Sequence, residues 1–250
     1  MKIALIAGFS LGLSTLTALA APPPYCGQQL AEGQKPSPVC ANARLRAIEA
    51  DLAKAFDAAR KRLAASSVLV AALEQDEARF LAQRDTIVAN LEKVDPYNRK
   101  EKAEFHDPAN IMRKRIAFLA RIDGTPRKTL IGEWGGADGY LSIHPREHGY
   151  FVSLNAKRKD LRLDYVEDWL CRGMGDLRSA QKSDLTQRSA RIYRGDGEDL
   201  PSRSIKVSAS NGMVEVVYQA AGRRKRREPD VCEGNITPPP FRLLPLLETH

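Results

Sequence analysis

The chain has few of the residues on which most catalytic and metal chemistry depends. Its 250 residues include only four cysteines and four histidines. No Cys-x-x-Cys pair occurs, and His106, His144, His148 and His250 do not flank cysteines, so no metal or other cofactor is expected. A Gly-x-Ser-x-Gly elbow, a Walker loop, a His-Glu-x-x-His pair and a calcium loop are all missing. The usual signatures of serine hydrolases, P-loop enzymes and metalloproteases are therefore not here. Aromatic residues make up 6% of the chain, and none interleaves its one long basic run. Bases would find no stacking platform there, so no nucleic-acid partner is expected. There is no internal repeat.

What is present begins with an export signal. Lys2 supplies a positive start, Ile3–Leu13 is apolar, and Ala18-Leu19-Ala20 before Ala21 fits the small-x-small cleavage rule. Ser10, Gly12, Ser14, Thr15 and Thr17 interrupt the apolar run, and Pro22-Pro23-Pro24 ends it. A membrane span needs roughly 20 mainly apolar residues, so residues 1–20 read as a cleaved signal and no transmembrane segment remains. The context of Cys26 does not fit a lipid anchor, and no twin arginine precedes the apolar run. The expected location is periplasmic or secreted. Cleavage removes Lys2 and no other charge, taking the net charge from +8 to +7. With 43% hydrophobic and 28% charged residues, the remainder is ordinary globular material.

An even number of cysteines in an oxidising compartment predicts two disulfides. Cys26 and Cys40 lie near the N-terminus, and Cys171 and Cys232 lie in the later half. The expected bonds are 26–40 and 171–232, contributing about 3 and about 4 kcal/mol in the chain-entropy picture.

The apolar pattern divides the mature chain near Thr125. In the first part, residues 21–125, the pattern from Ala41 to about Ile122 has a helical period. Leu45, Ile48, Leu52, Phe56 and Leu63 form one stripe, with Asn42 as a cap and Ser66-Ser67 as a break. Leu69, Leu73, Phe80, Ile87 and Leu91 form a second stripe, ending before Asp95-Pro96. A third helix starts near Pro108, with Ile111, Arg115, Phe118 and Ile122 on one face. Over 126–236 the period is two. Strands are expected around 130–134, 140–144, 150–154, 161–165, 190–193, 204–209 and 214–218, and Asn211-Gly212 is the strongest hairpin signal. Residues 237–250 read as a Pro-rich tail. The expected fold is α+β in separate domains: a small N-terminal helical bundle, then an antiparallel β-barrel or sandwich.

Three stretches of the helical half resemble the LprI-like lysozyme-inhibitor domain. Cys26 is followed by Val39-Cys40-Ala41 and then by Leu45, Ile48-Glu49, Leu52 and Phe56 at the family's spacing. Leu73–Asp85 is similar to the family's second helix, which ends in Arg-Asp, here Arg84-Asp85. Arg115-Ile116-Ala117-Phe118-Leu119 resembles its closing element. The family usually has a further cysteine just after Arg-Asp; Thr86-Ile87 stand there instead, so one family disulfide is missing. The resemblance covers about 100 residues and implies an all-helical periplasmic domain, with lysozyme inhibition attributed to some members. The residues themselves ask for less. Leu45, Ile48, Leu52 and Phe56 need only be core, and Arg84 and Asp85, being adjacent, are expected to face apart and to find separate partners.

In the strand-rich half, Gly132-Glu133-Trp134 resembles the Gly-x-Trp opening of lipocalin-like barrels, which implies a small-ligand carrier. The simpler expectation is a core tryptophan. Glu133, Asp138, Asp164, Glu167 and Asp168 lie near aromatic residues, but nothing fixes a pair at glycosidase separation. His144 and His148 flank a turn at Pro145, which is not helical ligand spacing. Arg223, Arg224, Lys225, Arg226 and Arg227 form a candidate anion-binding loop. The sequence thus predicts an exported non-catalytic protein. Its expected partner is a lysozyme-type hydrolase or another envelope protein; the alternative is a module that attaches to anionic envelope polymers through the basic β-domain.

Overall fold

The computed structural model describes residues 25–27, 29–30, 32–33, 35–91, 107–147, 149–157, 169–177, 187–193, 202–219 and 240–248. Within them the fold is α+β: three helices and a curled antiparallel sheet.

Helix α1 spans Ala43–Arg62, α2 spans Ser67–Leu91 and α3 spans Pro108–Ala120. Local chemistry fixes their starts. Asn42 accepts the Leu45 N–H at 3.2 Å, Ser66 accepts that of Leu69 at 3.3 Å, and Asp107 accepts that of Ala109 at 3.0 Å. Pro108, just inside α3, has no N–H to leave orphaned. Leu45, Leu52 and Ala59 form the buried stripe of α1, and Leu69, Leu73, Phe80, Leu81 and Ile87 that of α2. In α3 the buried face is Ala109, Met112, Arg115 and Leu119, with Ile111 and Phe118 only half-buried. It is rotated from the expected stripe, and Phe118 lies over the sheet, where a Cβ on Gly135 would meet its ring at 2.7 Å.

The strands are β1 (Gly132–Gly136), β2 (Gly139–Arg146), β3 (Gly149–Lys157), β4 (Trp169–Leu177), β5 (Gln187–Tyr193), β6 (Ser202–Ser210), β7 (Met213–Tyr218) and β8 (Phe241–Leu246). Each pairs antiparallel with the next, and β8 pairs with β1, so the sheet closes on itself. Period-two patterning turns Leu141 and Ile143, Val152 and Leu154, Ile205 and Val207, and Val214 and Val216 inward around Trp134. Each large side chain buried this way contributes about 1.5–3 kcal/mol. The expected hairpin is present: Asn211 (φ 53°) and Gly212 (φ 78°) link Ser210 to Met213 in a two-residue turn.

Two strands differ from the sequence expectation. β4 lies at Trp169–Leu177, whereas the expected strand at 161–165 falls outside the described residues. The Pro-rich tail supplies β8. Pro245 is tolerated there because its carbonyl, not an N–H, makes the bond needed: it accepts the Asp123 N–H at 2.9 Å.

The helices lie against the outer face of this sheet. Ala137, Met213, Leu244 and Leu246 share one apolar cluster with Leu52, Leu73, Met112 and Leu119. No described helix is long and apolar enough to cross a membrane.

Candidate functional site

Charged residues interrupt the apolar stripes of all three helices, and these interruptions build two clusters of buried charge among the described residues. Glu49 lies between Leu45 and Leu52, Asp76 and Glu77 between Leu73 and Phe80, Arg84 between Leu81 and Ile87, and Arg115 between Met112 and Leu119. All five are at most 4% exposed. An unpaired charge so deeply buried costs several kcal/mol, so each must meet a partner.

The first cluster lies beneath the N-terminal disulfide. Cys26 and Cys40 are bonded, with Cα atoms 5.5 Å apart. The Cys26 N–H donates to Glu49 Oε2 at 3.0 Å, and Arg84 Nη1 donates to Glu49 Oε1 at 2.6 Å. Arg84 also reaches Asp85 Oδ1 at 2.8 Å through Nε and Ser37 Oγ at 3.0 Å through Nη2, while Ser37 Oγ donates to Asp85 at 2.8 Å. Arg84 and Asp85 therefore do pair, against the expectation that neighbours on a helix face apart. Their Cβ atoms diverge, but the long arginine stem lets a planar guanidinium serve three acceptors at once.

The second cluster joins the helices to the sheet. Arg115 meets Asp76 Oδ2 at 2.8 Å and Glu77 Oε2 at 2.7 Å, with its guanidinium over the Phe80 and Phe118 rings. Burial works against the Arg115 charge, but Asp76 and Glu77 outweigh it and hold its pKa above the usual arginine value. The other Asp76 oxygen accepts the Ala137 N–H in the β1–β2 turn at 2.7 Å, and Arg79 Nε lies 3.3 Å from Asp138 Oδ2 in the same turn. Tyr25 Oη donates to Glu77 Oε1 at 2.6 Å.

Tyr25 gives this cluster a pH signature. Burial, then the charge and hydrogen bond of Glu77, push its phenol pKa well above the ordinary value. An unfolded chain releases that proton at about pH 10, whereas the folded chain holds it. The stabilisation is complete below that pH and is lost as pH rises through and beyond it. Denaturant titrations from pH 8 to 11.5 should show stability falling above about pH 10, and the Tyr25→Phe variant should fall less steeply. Equal slopes would mean that Tyr25 is not buried against Glu77.

Cys26, Cys40 and Glu49 place their ligand atoms within 4.8 Å of one another. The two sulfurs are bonded together and Glu49 is held by Arg84 and the Cys26 N–H, so in this state the group serves the fold. Trp134 is wholly buried and its indole N–H donates to Leu130 O at 2.9 Å, as a core tryptophan should. Glu133 pairs with Arg121 and Asp138 with Arg79, while Asp164, Glu167 and Asp168 fall outside the described residues. The expected 171–232 disulfide rests on Cys232, which also falls outside them, as do residues 1–24 and the basic run 223–227. A groove of about 550 Å³ runs between α2 and strands β7 and β8, lined in part by Val68, Gln75, Arg79, Glu215, Arg242 and Leu244.

Sequence reading passed over Glu49, Asp76, Glu77 and Tyr25. The signal for the first three was available: an acid at three-or-four spacing within an apolar stripe has to be buried with a cation.

Comparison of the chain with protein-family models, curated proteins and solved structures finds no match.

Proposed function

We propose that the mature chain is an exported, non-catalytic protein that binds and inhibits a lysozyme-type cell-wall hydrolase, with its helical half as the binding module. One observation carries this reading. The stretches that resemble the LprI-like domain are far apart in sequence, yet they meet in space. Glu49 from the first, which also accepts the Cys26 N–H, pairs with Arg84 from the second. Arg115 from the third closes on Asp76 and Glu77, also in the second. The three stretches thus pack as one unit, which supports reading them as a single binding module.

Charge sets a condition on the encounter. Common lysozymes are basic, and a partner carrying +7 is repelled at long range, which slows association. That repulsion is screened beyond roughly 8 Å at physiological salt. Titrating the mature protein into a lysozyme cell-wall lysis assay should therefore give inhibition at micromolar concentrations, reached faster at moderate than at low salt. Lysis that is unaffected at both salts would reject the reading. The same positive balance, with the run Arg223–Arg227, favours the second reading, attachment to anionic envelope polymers.

A further inference from the structure

The Cys26–Cys40 bond lies over buried charge. On one side of the bond, Tyr25 and Cys26 donate hydrogen bonds to Glu77 and to Glu49 and pack on the helical core, Tyr25 against Phe56. On the other, the turn Pro38–Ala41 is anchored by Ser37, which contacts Arg84 and Asp85, and by Val39 in the apolar core. Beneath them lie Glu49 and Arg84, each about 1% exposed. The cysteines themselves are half-exposed, within reach of another thiol.

We propose that this bond is a thiol–disulfide latch: closed, it seals the Glu49–Arg84–Asp85 cluster; opened by a dithiol reductant, it releases the cover while the sheet stays folded. In the opening step a thiolate of the reductant attacks one of the two sulfurs and forms a mixed disulfide. The reductant's second thiolate then displaces the protein sulfur. Two electrons and two protons pass to Cys26 and Cys40, and the dithiol leaves as a disulfide.

The physical reason for opening is the loss of the covalent tie between Tyr25–Cys26 and the Pro38–Ala41 turn. Non-covalent contacts alone then oppose the entropy gained when Tyr25 and Cys26 leave. Glu49 Oε2 then loses its N–H partner inside an apolar helix face, and hydration of that oxygen requires the cover to lift. Tyr25 leaves Glu77 as well, but Glu77 keeps Arg115 and the Asp76–Ala137 contact does not involve the cover, so the helix–sheet junction stays closed. An exported chain that crosses the membrane reduced would have its charge cluster sealed only after oxidation outside.

Hydrogen–deuterium exchange with peptide mapping tests this on the folded mature protein, before and after dithiothreitol, with native-state alkylation reporting which cysteines were reduced. A variant carrying Cys26→Ser and Cys40→Ser supplies the open state without reductant. In both, amides of residues 35–49 should exchange at least about a hundredfold faster, while those of 132–146 change by less than about threefold. Unchanged exchange at 35–49 once Cys26 and Cys40 are alkylated would overturn the proposal. So would parallel loss of protection at 132–146, or failure of the double variant to fold, because the bond would then be a global staple.

Discussion

Replacing Glu49 with Ala is expected to lower the unfolding free energy by about 3–5 kcal/mol, the cost of leaving a buried ion pair with one partner. Arg84 has no exposed side-chain surface, and in the variant the fully buried one of its two carboxylate partners is gone. Asp85 and Ser37 remain on other edges of the guanidinium but cannot replace that contact. The Cys26 N–H loses its acceptor as well. Urea titration followed by circular dichroism measures the loss. The double replacement Glu49→Leu with Arg84→Met removes both charges and should recover most of the stability, because a matched apolar pair of similar volume tolerates burial better than a lone charge. A cost below about 1 kcal/mol for Glu49→Ala would show that water reaches Arg84 and that the cluster is not sealed.

Asp76→Ala is expected to be as damaging, and its effect should not stay within the helices. This one carboxylate holds Arg115 of α3 with one oxygen and the Ala137 N–H of the β1–β2 turn with the other. Its loss leaves Arg115 with Glu77 alone and leaves a buried backbone donor without its acceptor, about 3–5 kcal/mol together. Around it, Ala137, Leu244 and Leu246 of the sheet pack against α2 and α3. Circular dichroism should therefore report loss of helix and sheet in a single transition, at lower urea than the wild type. A helical transition that moves while the sheet transition holds would show that the two sides are energetically separate despite their shared apolar cluster.

Much of this architecture could be read from the residues. Helix starts at Asn42, Ser66 and Pro108 follow from capping chemistry, and the Asn211-Gly212 hairpin follows from the left-handed backbone that such a turn demands. β8 was hidden because proline normally argues against a strand, and only the position of Asp123, distant in sequence, makes Pro245 acceptable. The candidate site was half legible. Its disulfide was visible, but Arg84 and Asp85 were expected to face apart, and the rest depends on which helix faces which. The place of Asp76 in the apolar stripe of α2 marks it as buried but does not say what it meets. Only the packing of α2 on the β1–β2 turn turns it into the residue that joins helix to sheet.

The claim beneath both the sealed cluster and the proposed function is that the polypeptide matures outside the reducing interior. Intact mass spectrometry of protein recovered from its native compartment, with and without alkylation under denaturing, non-reducing conditions, tests it directly. The expected species begins at Ala21 and takes up no alkylating agent. A species that retains Met1 and labels at Cys26, Cys40, Cys171 and Cys232 would contradict it.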